Sequence, residues 1–191
     1  MTLVFATNNR NKIKEVQSLI PEHIQLLSLE DIGCFEDVPE TQPSIEGNAI
    51  QKAEYIKTHY GYDCFADDTG LEVNVLHGEP GVYSARYAGE QRNAEDNMAK
   101  LLTNLEMHQD RSAQFKTVIA LHLNGKVYTF TGICEGTITH SKSGSEGFGY
   151  DPIFKADGYD QTFAEMNLEL KNKIGHRGKA VNQLLNFLSK L

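Results

Sequence analysis

FKTVIALHLNGKVYTFTGI, from Phe115 to Ile133, holds two β-rich runs, Phe115 to Leu123 and Val127 to Ile133, with a turn at Gly125 between them. Runs of this length and composition on either side of a Gly read as an antiparallel hairpin. Upstream the pattern differs. Thr2 to Ala6 reads as a buried strand, and Ile13, Val16 and Ile20 then recur at helical spacing. A second helix is predicted from Ser44, with Ile45, Ala49, Ala53 and Ile56 on one face and Gly61 closing it. Cys64-Phe65-Ala66 follows as a short buried strand ending in Asp67-Asp68-Thr69-Gly70, and Asn93 caps a helix running to Glu106. Near the end, Ala180, Leu184, Phe187 and Leu191 define a last amphipathic helix, preceded by the basic segment Lys171 to Lys179. Helix and strand alternate early and strands dominate later. That order predicts a mixed sheet with helices, in the α/β or α+β class, and excludes a purely parallel fold.

With 191 residues the chain can build one ample core or two lobes on a shared sheet. Its composition, 40% hydrophobic and 23% charged, is that of a globular protein. The net charge of -8 is opposite to that of a protein whose main partner is a long nucleic acid. No nucleic-acid partner is expected, and any phosphate binding must be local. Cys34, Cys64 and Cys134 are odd in number and lack CxxC spacing, so they read as reduced core residues of a cytoplasmic protein. The apolar run Leu3 to Ala6 is too short for a signal peptide or a membrane span.

Four segments carry chemistry. Thr7-Asn8-Asn9-Arg10-Asn11-Lys12 lies at a strand-to-helix junction, where free backbone N–H groups suit a phosphate and Lys12 adds a cation. The same run also reads as a plain capped helix start. Asp67-Asp68 pairs two carboxylates that repel each other unless a cation or donors compensate. One or two carboxylates plus phosphate oxygens is how Mg²⁺ is usually held. The plain reading is a turn with an Asx bond. Alternation along a strand sends the two side chains to opposite sides, so one of them reaches a metal. Gly144 to Pro152, GSEGFGYDP, surrounds Phe148 with glycines that let backbone approach a flat ligand while the ring stacks on it; a loop with a buried Phe is the alternative. Lys171 to Lys179, KNKIGHRGK, is basic and contains no acid, and it reads otherwise as a solvated face. Together the four suit one polyphosphate and one Mg²⁺.

In these motifs the chain resembles the non-canonical purine nucleoside-triphosphate pyrophosphatases, the inosine triphosphatases and XTP/dITP diphosphatases. The resemblance runs in order through FATNNRNKIKEV, GNAIQKA, FADDTGLEV, GEPGVYSARYAG, EGFGYDPIF and IGHRGKAV, over essentially the whole chain. It implies one domain over residues 1–191, with a long twisted mixed sheet, flanking helices and two lobes about a nucleotide cleft, assembled as a homodimer. It also implies that Thr7, Asn8, Asn9, Arg10, Asn11 and Lys12 bind the triphosphate. Asp68 would be proton acceptor and Mg²⁺ ligand, Glu40 a second metal ligand, and Thr69 a substrate contact. Phe148, Gly149, Tyr150, Asp151, Lys171, His176 and Arg177 would surround the base and sugar. Asn8 stands where the family often has Gly, and Thr69 where it often has Ser. Asn tolerates positive φ and Thr keeps the hydroxyl. The reaction implied is water attack on the α-phosphorus with pyrophosphate leaving. A pyrophosphatase for another modified or canonical triphosphate remains open, as does a non-catalytic nucleotide-binding module.

Overall fold

Asn124 and Gly125 take φ values of 50° and 75° in the computed structural model, which describes residues 1–191. Positive φ at both central residues is what a two-residue hairpin turn demands. They join β4 (Ser112–Leu123) to β5 (Lys126–Ile138), the two longest strands. The remaining strands are β1 (Thr2–Phe5), β2 (Gln25–Leu27), β3 (Cys64–Val73) and β6 (Phe154–Ala156). All six form one sheet in the order β2-β1-β3-β4-β5-β6. β1 is parallel to β2 and β3, whereas β6 is antiparallel to β5, so the sheet is mixed and the fold is α/β as the hydrophobic pattern predicts.

The helices are α1 (Arg10–Gln17), α2 (Ile45–Tyr60), α3 (Ala94–Asn104), α4 (Leu168–Ile174) and α5 (His176–Leu188). α2 forms as its sequence dictates. The Ser44 hydroxyl accepts from the Gly47 amide at 3.0 Å, and Gly61 ends the helix at φ 78°. Ile45, Ala49, Ala53 and Ile56 are all buried along one face. Asn93 caps α3 through the Asp96 amide. No helix is long and apolar enough to cross a membrane, and the three cysteines are buried and form no disulfide.

The chain divides into two compact units. The first comprises Met1–Asp68, Thr117–Gly132 and Arg177–Leu191; the second comprises Thr69–Lys116 and Ile133–His176. Each has its own core. In the first, Leu3 and Phe5 of β1 and Phe65 of β3 pack with Ile119, Leu121, Val181 and Leu184, and the Phe5 and Phe65 rings stack at 4.7 Å. In the second, Leu71, Leu101, Leu105, Phe115, Ile153, Phe154 and Phe163 pack together. Each fully buried Leu, Ile or Phe contributes about 1.5–3 kcal/mol.

Four expectations need correction. β3 does not end at Ala66 but continues through Asp67-Asp68-Thr69-Gly70 to Val73, because each carboxylate finds compensating partners without leaving the strand. Ile20 lies beyond the end of α1. Leu191 is 72% exposed past the end of α5, so it is not part of that helix's buried face. The basic segment does not simply precede the last helix: it supplies the end of α4 and the first turn of α5, with Lys171 and Arg177 buried.

Candidate active site

In the first unit the chain leaves β1 through Thr7, which is buried, and then Asn8, Asn9, Arg10 and Asn11, which are exposed. Asn9 is the N-cap of α1. Its Oδ1 accepts from the amides of Asn11 and Lys12 at 3.0 and 3.2 Å, and its own amide donates to the Thr7 hydroxyl at 3.2 Å. The cap therefore occupies two of the N–H groups that a helix start would otherwise offer to an anion. Lys12 turns inward one turn later. Its ammonium donates to Asp67 Oδ1 at 3.0 Å. Burial lowers its pKa, helped by the neighbouring Lys52 and Arg177, in spite of the attraction of Asp67 and Asp68.

Asp67 and Asp68 are consecutive in a strand, so their side chains leave opposite faces. Asp67 is fully buried and meets Lys12 on one oxygen and Arg177 Nε at 3.0 Å on the other. Arg177 also pairs with the buried Glu15 of α1. Burial alone would push the Asp67 carboxyl up, but Lys12, Arg177 and Lys52 outweigh it and hold the group below the usual carboxylate range. Asp68 meets α2 instead. Asn48 Nδ2 donates to its Oδ2 at 3.1 Å, and the Lys52 ammonium lies 3.9 Å from Oδ1. Lys52 also donates to the Asp67 carbonyl at 2.7 Å and pairs with Glu40. For Asp68, burial wins: it raises the pKa, Lys52 and Lys12 pull back, and the charge of Glu40 adds to the rise. Glu40 reaches this place because α2 holds the preceding irregular stretch. Gln42 N donates to Asn48 Oδ1, and Thr41 exchanges hydrogen bonds with Gln51.

The second unit carries the other expected residues. Gly144 and Gly147 have φ values of 83° and 74°, and a Cβ at Gly147 would lie 2.0 Å from Asp151 Oδ2. That oxygen accepts from the Phe148 amide at 2.8 Å and from the Lys171 ammonium at 2.5 Å. The ammonium also sits 5.0 Å from the centroid of the half-buried Phe148 ring, within cation–π range. Tyr150 is buried and donates its hydroxyl to the Ser84 carbonyl at 2.8 Å. His176 is buried with its ring stacked on Phe115 at 4.5 Å. Thr69 is half-buried in β3, just after Asp68, and Gly149 has φ 63° with open space around its α-carbon.

The expected residues thus gather into two sets. Thr7 to Lys12, Glu40 and Asp68 lie in the first unit, and Thr69, Phe148 to Asp151, Lys171 and His176 in the second. Arg177, expected beside the base and sugar, has its guanidinium committed to Glu15 and Asp67 in the first unit. Lys52, Asn48 and Glu15 escape a reading by motif. Asn48 and Lys52 do carry a signal, since they share the buried face of α2 with Ala49, Ala53 and Ile56, where a Lys needs a carboxylate partner. Glu15 carries none, because its partner lies 162 residues away.

The Ham1 family model matches residues 3–187. The chain is similar to the dITP/XTP pyrophosphatase of Flavobacterium johnsoniae, with 68% identity covering 99% of this chain and 98% of that one. It is 60% identical to the dITP/XTP pyrophosphatase of Christiangramia forsetii, with both chains covered in full. Among solved structures, the Ham1 protein of Staphylococcus aureus superposes with a TM-score of 0.91 at 40% identity, covering 100% of this chain and 99% of that one. Motif order, mixed-sheet fold and full-length identity agree, and the chain belongs to the Ham1 family.

Proposed function

We propose that this chain is a nucleoside-triphosphate pyrophosphatase that hydrolyses dITP, XTP and ITP at the α-phosphorus, giving the monophosphate and pyrophosphate and so clearing these nucleotides from the pool. The carrying observation is the buried charge set around Asp67-Asp68, on a chain matched over its full length by enzymes named dITP/XTP pyrophosphatase. Two adjacent carboxylates flanked by lysines suit a triphosphate with a divalent cation. A plain anion-binding module has no use for the carboxylates.

The donor set fits Mg²⁺. Lys12, Lys52 and Arg177 give three positive charges; Glu15, Glu40, Asp67 and Asp68 give four negative, so the set carries one excess negative charge. Such a set attracts a triphosphate only when a cation is added. Asp67 and Glu15 are paired with Lys12 and Arg177, whereas Asp68 and Glu40 both face Lys52. A hard cation of this kind takes its other oxygens from substrate and water. Asp68 and Glu40 would hold it, and Mg²⁺ would supply charge neutralisation on the phosphate oxygens.

The side chains do the rest. Lys12 and Lys52 place ammonium groups beside the phosphates, while Thr7 and the exposed Asn8 to Asn11 line the approach. An attacking water forms its bond to the α-phosphorus, the bond to the bridging oxygen breaks, and the water's proton passes to an Asp68 oxygen. With no cation bound, burial holds the Asp68 carboxyl above the ordinary Asp value. In the second unit Phe148 stacks on the base, with Lys171 and Asp151 fixing its loop. A donor to the 6-oxo group of hypoxanthine or xanthine is left facing another donor when adenine presents its 6-amino group. Residues 1–191 act as one domain and the active form is a homodimer, a reading that rests on the family resemblance.

Incubation of ITP with enzyme and Mg²⁺, followed by chromatography, tests the reading. IMP and pyrophosphate are expected; IDP and orthophosphate as primary products would refute attack at the α-phosphorus. Turnover that survives a chelator would refute the metal assignment, and light scattering checks the dimer.

A further inference from the structure

Beyond its first residues β3 is held on one side by a loop. β1 registers with β3 at Cys64 and Phe65. Farther along, in the second unit, the strand's amides are met by the segment Glu79–Ser84. The Val73 amide donates to the Glu79 carbonyl at 3.1 Å, and Glu72 forms a bridge with Pro80. The Leu71 amide is served differently. It donates at 2.8 Å to the hydroxyl of Ser84, a side-chain acceptor in place of the main-chain one a ladder would supply. Leu71 is completely buried, so no water can substitute.

Ser84 is itself tightly placed. It lies in the 3-10 turn Gly81–Arg86, is buried, and donates its hydroxyl to the Gly81 carbonyl at 2.6 Å. Its main-chain carbonyl accepts from the Tyr150 hydroxyl at 2.8 Å. α3 fixes the turn from the other side. Asn97 donates to the Ala85 carbonyl at 2.9 Å and accepts from the Ala88 amide at 2.7 Å, and Lys100 donates to the Tyr87 carbonyl at 2.6 Å. One residue therefore ties together two stretches proposed to touch substrate: the backbone just after Thr69, through Leu71, and the loop around Phe148, through Tyr150.

We infer that Ser84 is a positioning residue that sets the Phe148 loop and the Thr69 backbone in register for nucleotide binding. The inference rests on the proposed function, since it takes Thr69 and Phe148 as substrate contacts. Tyr150 then acts by anchoring: its hydroxyl is committed to Ser84, so its part in binding is to fix the backbone of its neighbours Phe148 and Gly149.

The test is a double-mutant cycle on the full-length protein with Ser84→Ala, Tyr150→Phe and the pair, measuring KM and kcat for dITP with Mg²⁺. Amide exchange at Leu71 and Phe148 is followed alongside. Ser84→Ala should raise KM about three- to tenfold, the range of one lost hydrogen bond, while kcat falls by less than KM rises. Exchange at Leu71 should quicken in Ser84→Ala, and exchange at Phe148 in both single variants. Ser84→Ala keeps the main-chain carbonyl that accepts from Tyr150 and acts by releasing the turn that presents it, so the KM of the pair should fall short of the product of the single effects. Multiplicative effects, or a KM in Ser84→Ala equal to wild type while Leu71 exchange quickens, would overturn the inference. If Ser84→Ala does not fold, Tyr150→Phe alone decides: an unchanged KM with unchanged Phe148 exchange overturns it. Failure of the wild-type protein to turn over dITP and XTP would instead strike the proposed function, and Phe148 exchange would still report whether the link exists.

Discussion

Asp68→Asn keeps the size of the side chain and an oxygen that can accept from Asn48. It removes a proton acceptor and half of the metal-binding pair. Turnover should fall about 10²–10⁴-fold from loss of the acceptor alone, with the melting temperature close to wild type. Asp67→Asn should behave in the opposite way. It strands Lys12 and Arg177 in a buried site with one carboxylate fewer, a change that costs about 3–5 kcal/mol. Measuring kcat at saturating Mg²⁺ and melting temperature for both variants separates the roles, and near-normal kcat in Asp68→Asn would show the wrong carboxylate has been assigned. The same pair splits the pH response. Asp67 is held below its ordinary pKa, so its stabilisation is present above that ordinary value and is lost only as pH falls through the lower folded one. Asp68 is raised, and it must be ionised to accept a proton. The acid limb of kcat/KM should therefore lie above the ordinary Asp value of about 3.9, at pH values where the melting temperature still holds. Saturating Mg²⁺ should move that limb downward, since the cation competes with the proton. A limb that coincides with acid unfolding would contradict the split. From the sequence, the Asp pair is visible as two adjacent like charges, but not that Lys12 and Arg177 take one of them while Lys52 and Asn48 take the other. That depends on helices brought to β3 from distant parts of the chain.

Gly147 sits where the chain between β5 and β6 turns under Asp151. Gly147→Ala puts a Cβ against the oxygen that orders Phe148 and Lys171, at a φ that costs an L-residue about 1–2 kcal/mol. The loop should loosen and KM for dITP should rise, with kcat reduced less; an unchanged KM would mean that this loop does not bear on the nucleotide. Elements with local signatures were the legible ones. The cap at Ser44, the stop at Gly61 and the apolar spacing between them describe α2 from end to end. Gly125 between two β-rich runs likewise gives the hairpin. The length of β3 was not legible, because Asp-Asp-Thr-Gly has the composition of a turn and is kept in the strand by partners outside it. The ion pairs of the basic segment were not legible for a related reason. Lys171 and Arg177 look like surface charges until Asp151, Glu15 and Asp67 are brought to them.

The first unit is assembled from both ends of the chain and a piece of the middle. Leu184 of α5 is fully buried in the same core as Leu3 and Phe5 of β1. Leu184→Ala should therefore cost about 2–5 kcal/mol, visible as a lowered urea midpoint, and amide exchange should quicken in β1 as well as in α5. Exchange confined to α5 would show that the helix is an appendage. Family and fold were legible at this scale because six motifs keep their order along the chain, but the division of the site residues between two units was not, since no single motif marks where β3, β4 and β5 pass from one unit to the other. The pairing of Glu15 with Arg177, 162 residues apart, has a temporal meaning as well. A ribosome delivers Glu15 and Asp67 long before Arg177. Until α5 emerges, the nascent chain holds Asp67 with Lys12 but lacks the guanidinium that completes its charge balance, and β1 lacks the helix that covers it. Catalytic competence should then arrive only once α5 has emerged, so products stalled or terminated before it would carry most of the recognisable motifs and none of the activity.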